Sequence, residues 1–133
     1  MTNIIAFTAH TANIFCLRPL TPSLGGSPLD AVRETIASQH LGSMETTFNG
    51  EPVMLWFDDN AALADNPVDN PAAMQMFQAL AGEHTPVKSR VFGECVFTGF
   101  DPDTREPVAL PRDAVTFMLA KAETISARLP VAA

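Results

Sequence analysis

Residues 44–59, METTFNGEPVMLWFDD, constrain the fold more than any other stretch, because they encode a β-hairpin with an apolar second strand. Asn49 and Gly50 form the pair that a two-residue type I′ turn favours, since both central residues of that turn take positive φ. The turn predicts one strand over 44–48 and another over 51–57. The apolar side chains of the second strand alternate between its faces, with Val53, Leu55 and Phe57 on one side and Met54 and Trp56 on the other. Since both faces are apolar, each should be covered by a packing layer or an interface.

The segment SPLDAVRETIASQHLG predicts a helix with both of its ends marked. Ser27 suits the N-cap, Pro28 suits the first helical position, and Asp30 stands where a capping box places its acid. Gly42 can take the left-handed conformation that often ends a helix. The sequence therefore predicts a first helix from residue 28 to about residue 41.

Two further helices follow from similar signals. Asn70 and Pro71 predict a helix start, and Gly82 predicts the end of that helix. A third helix is predicted from Pro111 or Asp113 to residue 129, where an apolar stripe recurs at helical spacing. The stripe consists of Val115, Met118, Leu119, Ala122, Ile125 and Leu129.

Strands are predicted over 11–19 and 90–100, and a short edge strand over 107–110. The order of elements is then strand, helix, hairpin, helix, strand, edge strand, helix. This order predicts an α+β fold, with a mainly antiparallel sheet of four or five strands and three helices packed on it. We expect one domain over residues 1–133.

The N-terminal segment lacks a basic start and a clean cleavage site, so we do not expect a signal peptide. No apolar run reaches the length of a membrane span. These features favour the cytoplasm, where thiols stay reduced. Cys16 and Cys95 are both expected to be buried on strands and unreactive.

Charge is distributed unevenly along this chain of net charge −7. Residues 34–87 hold eight acids and no Lys or Arg, which gives −8, and the remaining residues hold seven acids against eight bases, which gives +1. Nucleic acid and an anionic membrane are therefore unsuitable partners for the central segment. A protein with a basic surface or a cation suits it better, although the same charge also serves solubility alone.

The stretch FDDNAALADNPVDNPAA, residues 57–73, concentrates that charge and supplies the candidate partner-binding residues. These candidates are Trp56, Asp58, Asp59, Asp65 and Asp69. An EF-hand does not fit, because a loop starting at Asp58 has Ala62 at position 5 and Leu63 at position 6, where glycine is needed. A looser magnesium or calcium site on Asp58, Asp59 and Asp65 stays open, but we predict no bound metal.

Catalytic motifs are weak. Cys95 is a poor candidate for a nucleophile, because it lies in an apolar strand. Asp58 and Asp59 are poor candidates for an acid–base pair, because adjacent strand residues point to opposite faces. The histidines and cysteines lack zinc spacing, and no glycine-rich phosphate loop is present. We therefore predict no catalytic residues and no cofactor.

Several short motifs occur in an order that resembles the domain-of-unknown-function family 3846, which is encoded mainly by phages, plasmids and other mobile elements. They are Arg18-Pro19, Asp58-Asp59, the Asn-Pro entry within residues 67–73, and Gly93-Glu94. The resemblance covers most of residues 13–110, with Asp59 and Glu94 as charge-conserving departures from the common Glu and Asp. It implies an accessory protein acting in a bacterial cytoplasm, and it carries over no catalytic residue.

These observations predict a small acidic, non-catalytic accessory protein that binds a host- or element-encoded protein through its acidic surface. Inhibition of a defence system is one such role. The alternative is a small-ligand-binding module with a pocket between the hairpin and the Asn70 helix, whose N-terminus would receive an anion. A third reading is an enzyme that uses Asp58, Asp59 or Cys95.

Overall fold

The computed structural model of this chain describes residues 4–11, 14–21, 26–82, 85, 87 and 89–128, with side chains described up to residue 126. Six strands and three helices lie in these ranges. The strands are β1 (Ile4–His10), β2 (Ile14–Leu20), β3 (Leu41–Phe48), β4 (Glu51–Asp58), β5 (Cys95–Phe100) and β6 (Pro107–Val108). The helices are α1 (Pro28–Ile36), α2 (Pro71–Ala81) and α3 (Arg112–Arg128), and a 3-10 turn spans Ala61–Leu63.

The strands form one antiparallel sheet in the order β2-β1-β5-β4-β3, and β6 pairs with β5 beside the start of β1. The predicted α+β fold with a mainly antiparallel sheet is therefore confirmed. The sequence analysis missed β1, which lies near the centre of the sheet and carries the nearly continuous apolar run IIAFTA. A strand buried on both faces lacks the polar alternation that marks a half-exposed strand.

Helices cover both faces of the sheet, as the two apolar faces of β4 predict. On the α2–α3 face, α2 and α3 pack against a cluster that includes Phe7, Val53, Leu55, Met76, Phe97 and Met118. On the α1 face, α1 packs against a cluster that includes Ile4, Ala6, Val32, Met54, Trp56, Val96 and Phe100. The core is thus divided by the sheet into two layers.

The first helix begins where it was predicted to begin but ends earlier. The capping box is present, since Ser27 Oγ accepts from the Asp30 N–H at 3.3 Å and the Ser27 N–H donates to Asp30 at 2.9 Å. Ala37, at φ 62°, takes the left-handed position that was predicted for Gly42. Gly42 instead lies in β3 directly opposite Phe57, whose ring occupies the space that a Cβ at residue 42 would fill. The glycine therefore accommodates a cross-strand contact and does not end a helix.

The hairpin turn and the start of α2 match their predictions. Asn49 and Gly50 have φ of 52° and 80°, as a type I′ turn requires. Asn70 caps α2 with Pro71 at its first position.

The C-terminal half differs from prediction mainly at element boundaries. β5 begins at Cys95 and not at residue 90, because residues 90–94 instead run beside the segment that enters α2. Of the predicted α3 stripe, Met118 and Ile125 are buried, whereas Leu119 is exposed, and residue 129 lies outside the described residues. None of the described helices is both long enough and apolar enough to cross a membrane.

Candidate functional site: the acidic loop

Residues 59–69 form the connection between β4 and α2, and we call them the acidic loop. Its first end is fixed by Asp58, the last residue of β4, whose Oδ1 accepts from Ser38 Oγ and from the Asn60 N–H, both at 2.9 Å. The Asp59 N–H donates to the His40 carbonyl at 2.8 Å. The 3-10 turn then begins, with the Leu63 N–H donating to the Asn60 carbonyl at 3.0 Å.

The second end of the acidic loop is tied to the segment that leads into β5. The Gly93 N–H donates to the Val68 carbonyl at 2.8 Å, and Asp69 forms an isolated β-bridge with Phe92. Asp69 also pairs with Arg90 at 3.4 Å. Both ends of the loop are therefore held by backbone hydrogen bonds, the first to His40 just before β3 and the second to the segment that leads into β5.

Asn70, the residue that follows the acidic loop, lies in the core and does more than cap α2. Its Oδ1 accepts from the Ala73 N–H at 3.1 Å, while its Nδ2 donates to the carbonyls of Ala9 at 2.9 Å and Gly93 at 2.8 Å. The side chain is fully buried. The Asn70 amide thus connects α2, β1 and Gly93, just before β5. No local pattern in the sequence indicates this role.

The outer side of the acidic loop combines charge with an apolar side chain. Asp59 and Asp65 are exposed, and both carboxylates lie on the same short connection as Leu63, which is 81% exposed, and Val68, which is also exposed. Single exposed leucines are ordinary on protein surfaces. Leu63 differs because it lies on a hydrogen-bonded 3-10 turn and is flanked in sequence by two exposed carboxylates. The sequence analysis did not select Leu63, although its place in a polar loop was the available signal.

Trp56 was predicted to bind a partner, but the structure leaves little of its side chain accessible for such a contact. The side chain is only 7% exposed and lies in the cluster beneath α1. Its Nε1–H donates to Thr98 Oγ1 at 2.8 Å, so its polar atom is also satisfied internally. The residue faces the α1 layer, and helix α1 covers it.

The four predicted aspartates divide into two pairs. Asp58 and Asp69 are half-buried and already bound, Asp58 to Ser38 and Asp69 to Arg90. Asp59 and Asp65 remain exposed, as predicted for the whole group. In the described part of the chain no three His, Cys, Asp or Glu side chains gather closely enough to hold a metal ion.

A histidine beside the loop was also missed by the sequence analysis. His10 contacts Glu94 through Nδ1 and Thr8 Oγ1 through Nε2, the latter at 3.3 Å. Thr8 is buried and donates its hydroxyl proton to the Cys16 carbonyl at 3.3 Å, so it presents no accessible nucleophile. The trio therefore ties the end of β1 to the start of β5 and does not form a hydrolytic relay.

The two cysteines lie in different environments. Cys95 is buried as predicted, and burial, with a smaller contribution from the negative charge of Glu94, raises the pKa of its thiol to about 12. A thiol that stays protonated is a poor nucleophile. Cys16 was predicted to be buried and is exposed, because its strand lies at the edge of the sheet.

Two cavities stand out among the described residues, and neither of these two lies between the hairpin and α2. One, of about 380 Å³, lies between α2 and α3 and is lined by Gln78, Phe117 and Lys121 among others. The other, of about 460 Å³, lies beside β3 and the turn after β5, where Arg105 bonds Glu45 at 2.7 Å. Asn70, Ala72 and Ala73 at the start of α2 are buried, and the Ala73 N–H already donates to Asn70 Oδ1, which leaves this N–H closed to an anion.

No protein-family model matches this chain, and no curated protein or solved structure is significantly similar to it. The resemblance drawn from the ordered motifs therefore stays a prediction, and the acidic loop is the feature of the structure that bears on function.

Proposed function

We propose that this protein is a non-catalytic binding module whose acidic loop docks on a protein partner with a basic surface. The observation that carries the proposal is the exposure of Leu63 on the 3-10 turn, which lies in sequence between the exposed residues Asp59 and Asp65. Leu63 takes the place of Trp56 as the apolar contact residue.

An apolar side chain on a fixed loop is well suited to binding. Burying an exposed leucine contributes about 1.5–3 kcal/mol. The ordering entropy that association usually costs is reduced when the loop is held beforehand. Here the bonds of Asp58, the Val68 carbonyl and Asn70 hold it.

The exposed carboxylates act differently from the leucine. Asp59 and Asp65 would lie at the rim of the contact, where charges mainly raise the association rate and favour partners of opposite charge. Asp58 and Asp69 already have internal partners, so they contribute to the shape of the loop.

The resemblance to family 3846 supports a host- or element-encoded partner in a bacterial cytoplasm. Inhibition of a defence component by occupying its basic surface fits such a contact. This part of the proposal rests on the ordered motifs and not on the geometry of the loop.

The proposal is tested by affinity capture with tagged wild-type protein, followed by binding measurements on the purified partner. We expect Leu63→Ser to weaken binding by about tenfold or more, because the apolar contact is lost. The matched control is Leu119→Ser, since Leu119 is also an exposed leucine, 48% exposed, but lies on α3. It should bind like wild type.

The charge component is tested with the double variant Asp59→Asn and Asp65→Asn. Association should slow, and the affinity should depend less on salt than that of wild type. If Leu63→Ser binds as tightly as Leu119→Ser and the wild-type complex ignores salt, the acidic loop is a solvated surface and the proposal is wrong.

A further inference from the structure

We propose that two copies of this chain associate through the outer edge of β2, so that their sheets join as one antiparallel sheet across a two-fold axis. The proposal is independent of the acidic loop. It rests on an open strand edge, exposed apolar side chains and the distribution of charge.

The outer edge of β2 is open within the described residues, because β2 pairs with β1 and with no other described strand. An unpaired edge offers a row of N–H and C=O groups to another chain. Apolar side chains accompany it on both faces: Ile14 is 53% exposed and Leu17 is 41% exposed. Ile5, on the neighbouring strand, is exposed beside Pro19 on the same face as Leu17.

The charge distribution favours a second copy as the occupant. Residues 1–29 contain no Asp or Glu, whereas the remaining residues hold all 15 acids. Arg18 is the only Lys or Arg in that segment. In a chain of net charge −7, two copies repel each other over most of their surfaces. β2 itself carries no carboxylate, so pairing β2 with its copy places no two acids opposite each other in the strands that meet.

The other edge of the sheet is less suited to self-association. β3 carries Glu45 near its middle, and Glu45 pairs with Arg105 across the neighbouring groove. Pairing two copies of β3 about Glu45 would bring these carboxylates towards each other, and charged side chains on an edge strand commonly prevent such pairing.

The direction of the backbone groups selects the register. The Cys16 carbonyl faces β1, since it accepts the Thr8 hydroxyl bond. Backbone groups alternate along a strand, so those of Phe15, Leu17 and Pro19 face outward. Pro19 has no N–H, which is tolerated on an outer edge.

A two-fold axis at Cys16 uses these outward groups best. Phe15 of each copy then lies opposite Leu17 of the other, both N–H groups of each copy find a carbonyl, and Pro19 stays outside the ladder. Centring on Leu17 would instead place Pro19 opposite Phe15 and lose two donors. With the axis at Cys16, Arg18 lies opposite Ile14, so the two arginines do not meet.

This register places the two Cys16 residues in a pair without backbone hydrogen bonds, where Cα atoms lie about 4.5 Å apart. That separation is within the range of about 4.4–6.8 Å that a disulfide spans. Treatment of wild-type protein with diamide should therefore join two chains through Cys16, with diamide taking up the two electrons and two protons of the two thiols. Cys16→Ser should remain a dimer that cannot be cross-linked.

The association itself is measured by sedimentation of the full chain over a range of concentrations. We expect wild type to form a dimer, and Cys16→Lys to raise the dissociation constant by about tenfold or more, because like charges directly opposite each other destabilise a strand pair. Val108→Lys is the matched control, since Val108 is an exposed strand residue on β6, and it should associate like wild type.

Salt separates this association from partner binding. Added salt should strengthen the dimer by screening the repulsion between two acidic chains, whereas it should weaken the contact of the acidic loop with a basic partner. A wild-type protein that stays monomeric at every concentration overturns the inference. So does a dimer that is insensitive to Cys16→Lys and does not cross-link through Cys16. Neither result would affect the test of Leu63.

Discussion

At the scale of single residues, Asn70 shows how one side chain can serve both a helix and the core. A cap needs only the Oδ1 that accepts from Ala73, but Nδ2 also donates to the carbonyls of Ala9 and Gly93 in a fully buried place. Unpaired buried polar groups are costly, so the amide contributes more than a surface cap would.

Asn70→Ala should therefore lower the free energy of unfolding by about 3 kcal/mol or more, beyond the ~0.5–2 kcal/mol of a cap alone. Asn70→Asp separates the two roles, because aspartate caps helices as well as asparagine does but cannot donate to two carbonyls when ionised. We expect it to be strongly destabilised at pH 7 in urea unfolding, and partly restored when the pH falls and the acid is protonated. An aspartate variant as stable as wild type would show that the donor bonds contribute little.

The cysteines give a second test at this scale. Because burial raises the pKa of Cys95 to about 12, its thiol stays protonated at pH 8 and should react with a disulfide reagent only when the protein unfolds. Cys16, exposed at the sheet edge, should react readily in dilute folded protein. Counting thiols before and after adding denaturant checks this. Two fast thiols in the folded protein would contradict the buried position of Cys95.

At the scale of elements, helix α1 depends on a short set of bonds at its start. Asp30 accepts the Ser27 N–H at 2.9 Å and the Arg33 guanidinium at 3.0 Å. The Ser27 backbone bond, followed by Arg33, lowers the pKa of the Asp30 carboxyl from its ordinary value. A lowered folded-state pKa means that the carboxylate stabilises the fold above its unfolded pKa, and that this contribution is lost as the pH falls through the folded value.

We therefore expect Asp30→Asn to be less stable than wild type at pH 7, with the difference shrinking below pH 3.8, the ordinary value for aspartate. Urea unfolding followed by circular dichroism at several pH values measures both curves. The decisive range is low pH. If the free energies of unfolding of wild type and Asp30→Asn differ by the same amount down to acid pH, the Asp30 charge does not stabilise α1.

At the scale of the whole molecule, the predictable features are those that depend on interactions between residues close together in the chain. The capping box at Ser27, the positive φ values of Asn49 and Gly50, and the start of α2 are local, so sequence predicts them. The apolar faces of β4 also predicted that both sides of the sheet are covered.

The features that were missed depend on pairing between distant segments. β1 was missed because it is buried between β2 and β5, and its apolar run resembles any buried segment. Trp56 was placed in the candidate site because sequence shows which face it is on but not that α1 covers that face. Leu63 was overlooked because its place in a polar loop indicates exposure only weakly, and whether another segment covers it depends on the fold.

The division of the core by the sheet has a consequence for how this protein can be observed. The chain has one tryptophan and no tyrosine, and that tryptophan lies in the layer beneath α1. Its near-ultraviolet emission therefore samples the α1 layer directly, while the layer beneath α2 and α3 carries only phenylalanine as its aromatic residue. A fluorescence melt would register the undocking of α1 as if the whole molecule had unfolded, and a loosening confined to α2 and α3 would change the signal little.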